Sequence, residues 1–326
     1  MATKPSLLLS TLKVIRPLQW LKNVVMFAPL IFSGLLFASD SSGMPYFVTT
    51  LYAAIIFCIL ASSVYILNDI IDIEADRAHP FKRKRPIASG ALSVRLALFL
   101  CMLGIVVVFV LSYPLASNFF KLLILGYLAL QVVYSLWLKH VPIFDVLSIA
   151  GAFIIRVYAG ASVAAIRLNS WFLLTVISVS LFIAVCKRQS ERNLFTNDKI
   201  GSSRQTLKRY NPRLLDQFTS MFATATWLSY ALFTFQYQFV RPEQNLSILY
   251  PALPRILRPE KLLMLTIPVA IVGIMRYLQL IYEKNEGESP ARVLVTDKVL
   301  LSVALLFTLM IVFILYAPAK LNDMID

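Results

Sequence analysis

Runs of about twenty apolar residues recur along this chain, separated by short polar connections. A helix needs about that many apolar residues to cross the hydrocarbon core of a bilayer. In lipid each backbone N–H and C=O must find its partner within the segment, so each run is expected to be a helix. The runs lie at roughly 22–38, 46–67, 95–113, 119–138, 142–166, 170–187, 218–240, 261–282 and 298–317. The expected fold is therefore all-α: a polytopic membrane protein, one domain over 1–326, built as a bundle of about nine transmembrane helices. With 59% hydrophobic and only 15% charged residues, the chain is far more apolar than a soluble domain. Ser6–Ser10 is too short an apolar run for a signal peptide. Cys58, Cys101 and Cys186 fall in separate runs, without metal-ligand or redox spacing, and read as small buried hydrophobes.

The net charge is +14. In a soluble protein this would suggest nucleic acid. Here the bases fall in short connections, which is the positive-inside pattern, so no nucleic-acid partner is expected. One side of the membrane receives the N-terminus, 68–94, 139–141, 188–217 and 283–297, and Lys187–Arg213 alone carries eight Lys or Arg. The other side receives 39–45, 114–118, 167–169, 241–260 and the acidic tail from Asn322 to Asp326. The first side is expected to be cytoplasmic. The polar clusters fall there, so the bundle is expected to hold a cytoplasm-facing polar cavity.

The chemistry concentrates in Asn68–Gly90. The uncharged run Pro45–Leu67 gives way to four acids within eight residues, Asp69, Asp72, Glu74 and Asp76, and then to Lys82-Arg83-Lys84-Arg85. Asn68, Asp72 and Asp76 are four apart, so on a helix they stack along one face. Carboxylates stacked this way repel one another unless a cation lies between them. Mg²⁺ suits them, because it binds one or two carboxylates and shares its other positions with water and substrate phosphates. The bases could hold those phosphates. A solvated, mixed-charge loop is the plain alternative, weakened by the position of the acids where a spanning helix leaves the bilayer.

Other polar residues group around this stretch. Arg16, Trp20, Lys22 and Asn23 read either as an interfacial anchor or, for Lys22 and Asn23, as residues pointing into a site. Tyr134 and Lys139 precede Asp145, which lies in an apolar run together with Arg156. Opposite charges within one span suggest interior partners, yet eleven residues of helix separate these two by about 16 Å. Lys187, Arg188 and Glu191 close the sixth run, with Arg204, Lys208, Arg209 and Tyr210 in the polar loop beyond. Arg276 and the 283–297 connection read as structural. His79 and His140, the only histidines, lack a third ligand for a zinc or haem site.

At these residues the chain resembles the UbiA-type superfamily of intramembrane prenyltransferases. The resemblance rests on Asn68-Asp69-x-x-Asp72-x-x-x-Asp76 and on the Tyr134–Lys139 segment. It is fuller for one branch, the decaprenyl-phosphate phosphoribosyltransferases. The matching patterns are Arg16-Pro17-x-Gln19-Trp20-x-Lys22-Asn23, Asn68 through Arg85-Pro86, Lys187-Arg188-x-x-Glu191 and Gly287-Glu288-Ser289-Pro290. Prenyl-diphosphate enzymes of the superfamily carry a second acidic motif after the sixth helix. Lys187, Arg188 and Glu191 stand in that place here, which favours direct phosphate contact over a second metal.

The resemblance implies an Mg²⁺-dependent enzyme of the cell (inner) membrane with a cytoplasmic active site. It would move 5-phosphoribose from phosphoribosyl pyrophosphate (PRPP) to a polyprenyl phosphate and release diphosphate. Asn68, Asp72 and Asp76 would hold the metal, with Asp72 and Asp76 catalytic. Lys22, Asn68, Lys82, Arg85, Tyr134, Lys139, Lys187 and Arg188 would bind substrate. Prenyl transfer to an aromatic or other acceptor, and ion-coupled transport, are the alternatives. The oligomeric state stays open, a homo-oligomer included.

Overall fold

A computed structural model describes residues 7–78, 82–115, 117–197, 210–237, 259–284 and 290–322. His79, Arg204, Lys208, Arg209, Gly287, Glu288, Ser289, most of the 241–260 connection and the last four residues lie outside them.

The described residues form a helical bundle, with one isolated bridge between Ser39 and Pro45. Helix α1 (Leu7–Ile15) leads into a 3-10 segment (Pro17–Phe27) and the short α2 (Ala28–Phe32). Then come α3 (Tyr46–Ile71), α4 (Ile73–Ala78), α5 (Val94–Ser112), α6 (Asn118–Leu136), α7 (Phe144–Val163), α8 (Ser170–Asn197) and α9 (Pro212–Phe235). The turn α10 (Pro259–Leu262) passes through a 3-10 turn into α11 (Ile267–Lys284), followed by α12 (Pro290–Thr296) and α13 (Lys298–Asn322).

Seven helices among the described residues are long and apolar enough to cross a membrane, which makes this a multi-pass membrane protein. Two of the nine expected runs differ. The run 218–240 falls on α9, which has the length but carries Thr219, Thr224, Thr226, Ser229 and Thr234 and falls short in apolarity. The run 22–38 is no regular span. It is the end of the 3-10 segment, the five residues of α2, and turns. Apolar content does not distinguish 3-10 from α geometry, and Pro17, Pro29 and Gly34 interrupt α propagation.

The helices follow membrane packing logic. Small residues let backbones approach, and hydroxyls find acceptors within their own helix. Helix α3 packs on α5, α7 packs on α6 and α8, and α8 packs on α9. Gly160 on α7 allows the closest approach, because a Cβ there would stand 1.9 Å from the carbonyl oxygen of Met26. The 3-10 segment thus lies directly on α7, wedged between it and α3. One core joins Met26, Phe57, Phe120, Tyr127 and Ala159, and another joins Phe172, Tyr230, Phe233 and Ile311. Ser93, Ser117 and Asn211 cap α5, α6 and α9 by accepting a backbone N–H each.

Candidate active site

The polar ends of α3, α6, α7 and α8 meet at one end of the bundle, and side-chain contacts join them. Helix α3 ends at Ile71, Asp72 caps it, and α4 restarts at Ile73. The backbone bonds Asp72 N–H to Asn68 O and Asp76 N–H to Asp72 O carry the register across the break.

The acids do not form the single line expected from their spacing. They form two rows. Asn68 and Asp72 turn towards α6 and the residues after it: the Asn68 amide donates to Asp72 Oδ2 at 3.2 Å and accepts from Ser135 Oγ at 3.0 Å. Asp72 Oδ1 pairs with the buried Lys139. Asp69 and Asp76, two turns apart, share Arg85, whose Nη1 lies 3.0 Å from Asp69 Oδ1 and 2.6 Å from Asp76 Oδ2. Asp69 also accepts from Arg16 Nη2 at 2.5 Å. Asp76 therefore faces the base shared with Asp69 and departs from a stack with Asn68 and Asp72. The physical reason is the break at Asp72, together with a seven-residue spacing that returns to the same helix face.

The second wall of the site is the 3-10 segment. With three residues per turn, Arg16 and Lys22 are two turns apart and project to the same side. Both sit over the Tyr65 ring, at 5.2 and 5.9 Å from its centre, and Lys22 Nζ donates to the Tyr65 hydroxyl at 3.3 Å. Trp20 donates to Ser62 Oγ at 2.9 Å and Asn23 to Cys58 Sγ at 3.1 Å, so the segment is fastened along α3. Arg156, buried in α7, donates from Nε to Asn23 Oδ1 at 2.8 Å and from Nη2 to Tyr127 Oη at 2.7 Å. Asp145 and Arg156, too distant to pair, each find other interior partners.

The third wall is α8. Arg188, 1% exposed, pairs with Asp145 Oδ2 at 2.6 Å and Glu191 Oε2 at 2.5 Å, and donates to Tyr134 Oη at 3.1 Å. Tyr210 closes this network. Its hydroxyl donates to Asp145 Oδ1 and accepts the N–H of Ile143, both at 2.6 Å. Burial, then the bond to the Asp145 carboxylate, raise the Tyr210 phenol above its ordinary value. Arg188 was expected to bind phosphate; here two carboxylates neutralise it and Tyr134 accepts from its Nη2. Lys187 is freer: it is half-exposed, 3.9 Å from Glu191, and within electrostatic reach of Lys22 and Tyr134. Lys82 lies half-buried at the start of the turn Lys82–Lys84, beside α4. Arg276 clamps Asp297 with 3.2 and 2.7 Å contacts, a link between α11 and the start of α13.

Arg16, Tyr65 and Asp69 also belong to this end of the bundle, and the four-residue spacing of Asn68, Asp72 and Asp76 does not mark them. For Tyr65 and Asp69 a signal exists: Ser62, Tyr65, Asp69 and Asp76 follow one another at three, four and seven residues, the side of the helix that meets Trp20, Arg16 and Arg85.

An apolar cavity of about 520 Å³ opens beside this polar end. Its walls come from α8, α9, α11, α13 and the 3-10 segment, with Phe172, Phe182, Trp227, Tyr230 and Phe307 among them. A pocket of this size and character suits an apolar ligand.

Residues 26–294 match the description "UbiA prenyltransferase family". The chain belongs to the UbiA prenyltransferase family. It is 33% identical over 311 residues to a decaprenyl-phosphate phosphoribosyltransferase of Corynebacterium glutamicum, spanning 94% of this chain and 86% of that protein. It is 37% identical over 231 residues to the protein of that name from Mycolicibacterium smegmatis, covering 69% of this chain and 70% of that one. The fold is that of a UbiA homologue from Archaeoglobus fulgidus solved with GPP and Mg²⁺. The TM-score is 0.65 at 17% identity, over 94% of this chain and 99% of that one.

A magnesium ion fits the donor chemistry here. Asn68, Asp72 and Asp76 offer hard oxygens, and Asp72 is partly open to the site. No group of three His, Cys, Asp or Glu among the described residues is placed to hold a metal. The fit is therefore to a cation held by one or two carboxylates, with substrate oxygens completing its shell.

Proposed function

We propose that this member of the family transfers 5-phosphoribose from PRPP to the phosphate of a polyprenyl phosphate and releases diphosphate. One observation carries the reading: an acidic segment paired with bases is joined through Tyr65 and Lys22 to an apolar cavity, with bases on α8 where a second acidic motif would stand. The similarity to proteins named decaprenyl-phosphate phosphoribosyltransferase supports it. Both substrates are anions with phosphates, and one has a long apolar tail. A site with one acidic row, several bases and an apolar annex matches that pair.

Asn68 and Asp72 would hold Mg²⁺, which when bound would supply positive charge against the diphosphate leaving group, and Asp76, expected to join them, holds Arg85 instead. The protein's own contribution is positioning and charge. Lys22, Lys82, Arg85, Lys139 and Lys187 are the bases available to phosphate oxygens. Lys139 and Arg85 are held ready by Asp72, Asp69 and Asp76. The donor C1–O bond breaks, its electron pair leaves on diphosphate, and an oxygen of the lipid phosphate bonds to C1. The ribose passes through an oxocarbenium-like state, as in glycoside chemistry. The nucleophile is already an anion, so no strong general base is required. Arg188, Asp145, Glu191 and Tyr210 act as a strut that fixes Tyr134 and the end of α8. We assign the site to the cytoplasmic face of the cell membrane, where soluble PRPP is available.

The test is transfer of radiolabelled phosphoribose from PRPP to a polyprenyl phosphate by the purified protein. Label should enter the lipid fraction with Mg²⁺ and not with EDTA. An unlabelled lipid fraction, alongside consumption of a prenyl diphosphate, would overturn the reading in favour of prenyl transfer.

A further inference from the structure

Among the described residues, most bases of the site are paired with carboxylates, and Lys22 is not. Arg16 is neutralised by Asp69, Arg85 by Asp69 and Asp76, and Lys139 by Asp72. Arg188 is neutralised by Asp145 and Glu191, and Lys187 lies 3.9 Å from Glu191. Lys22 has no carboxylate within 4.0 Å among the described residues, and its ammonium meets only the hydroxyl and ring of Tyr65. It is half-buried, where an unpaired charge is costly. Lys22 is also the one charged side chain among the described residues lining the apolar cavity.

Its position is fixed from the next residue. Asn23 is 2% exposed and is held by Cys58 on α3 and by Arg156 on α7. The Arg156 guanidinium itself donates to Asn23, Tyr127 and the Ala152 carbonyl, all neutral acceptors. Two cations without carboxylate partners among the described residues thus stand at the junction of polar site and apolar cavity. An amphiphile with one anionic head and a long apolar tail meets both demands at once.

We infer that Lys22 holds the phosphate of the acceptor lipid, and that it makes the cavity select a phosphorylated isoprenoid over the neutral alcohol of the same chain. This rests on the transfer reading above and divides its site: the Asn68–Arg85 side faces the donor, and the Lys22 side faces the acceptor. A membrane phospholipid offers the same phosphate on two acyl chains, and phosphatidate is the arm of the test that distinguishes it from a single-chain isoprenoid phosphate.

The test measures binding of farnesyl phosphate, farnesol and dioleoyl phosphatidate to the full-length purified protein by calorimetry, beside KM values in the transfer assay. Wild type should bind farnesyl phosphate about tenfold or more tightly than farnesol, as expected for a charge-assisted contact. Lys22→Met should bind the two alike, with farnesol affinity unchanged, and Lys22→Arg should restore the preference. In transfer, Lys22→Met should raise KM for the polyprenyl phosphate and leave that for PRPP unchanged. Unchanged farnesol binding shows that the variant is folded. A phosphate preference that survives Lys22→Met, a rise confined to the PRPP KM, or equal binding of phosphatidate would each overturn the assignment. If wild type transfers no phosphoribose yet shows the Lys22-dependent preference, the transfer reading falls and the phosphate site stands.

Discussion

At the scale of the residue, the site is a set of acids each engaged by a base. Asp72 is the most exposed of the three buried or half-buried acids that pair with bases near α4, and both its oxygens are engaged within its own row: Asn68 on one, Lys139 on the other. Asp72→Asn keeps an oxygen for Lys139 but removes the negative charge. Transfer should fall at least about a hundredfold, in line with the loss of a group that organises transition-state charge. The melting temperature in detergent should also fall, because the buried Lys139 loses its counter-ion, so turnover is compared per folded protein. Near-normal turnover would remove Asp72 from the chemistry. Tyr210 makes a different kind of prediction. Its phenol is raised in the folded protein by burial and by the Asp145 carboxylate, so the folded state favours the protonated form. The stability this supplies is fully present below the unfolded-state value, about 10, and is lost as pH rises through the folded-state value. Melting temperature in wild type should therefore drop above pH about 10, and Tyr210→Phe should show a shallower drop. Parallel curves for the two proteins would contradict this.

At the scale of the element, the 3-10 segment separates what could be read in the sequence from what could not. The apolar runs on α3, α5, α6, α7, α8, α11 and α13 were legible, because length and hydropathy nearly suffice for a spanning helix. The run 22–38 looked like another. Its true form depends on contacts no local pattern shows: Arg16 in left-handed backbone at φ 56°, Trp20 on Ser62, and Asn23 between Cys58 and Arg156. Asp69 was visible but hidden behind its neighbours, since a spacing of four drew attention to Asn68, Asp72 and Asp76. Which acid meets which base depends on the break at Asp72, and so does not follow from spacing. Asp145 and Arg156 were legible as interior charges, because apolar surroundings demand partners. Their partners came from other helices and from a loop. Gly160 tests the element directly. A methyl group there would collide with Met26 O, which is backbone and cannot swing aside. Gly160→Ala should cost about 1–3 kcal/mol of stability as an overpacked contact. It should also lower transfer more than Ala substitution at Gly126, whose added Cβ meets nothing within 4 Å. Equal behaviour of the two variants would mean that the segment does not need this close approach.

At the scale of the whole molecule, the bundle brings a polar end and an apolar cavity into contact, and α8 contributes to both. Its Phe172, Val176 and Phe182 line the cavity, and its Arg188 lies in the strut six residues beyond Phe182. A reaction joining a water-soluble donor to a lipid acceptor needs such a boundary, so that each substrate is held in its own solvent until the reacting atoms meet. The boundary implies that the two KM values are separable. Gly273 lies on the cavity wall, and an added Cβ would meet Val303 Cγ1 at 3.4 Å, an ordinary contact. The backbone there accepts a side chain, and a larger one must project into the cavity. Gly273→Leu should raise KM for a polyprenyl phosphate by roughly tenfold, the effect of a pocket mismatched by a few carbons. KM for PRPP should stay as in wild type, because Gly273 touches none of the polar rows. Steady-state kinetics with each substrate varied in turn decides the matter. A variant that loses affinity for both substrates alike would show that the cavity and the polar end act as one compartment, and the division of labour argued here would fail with it.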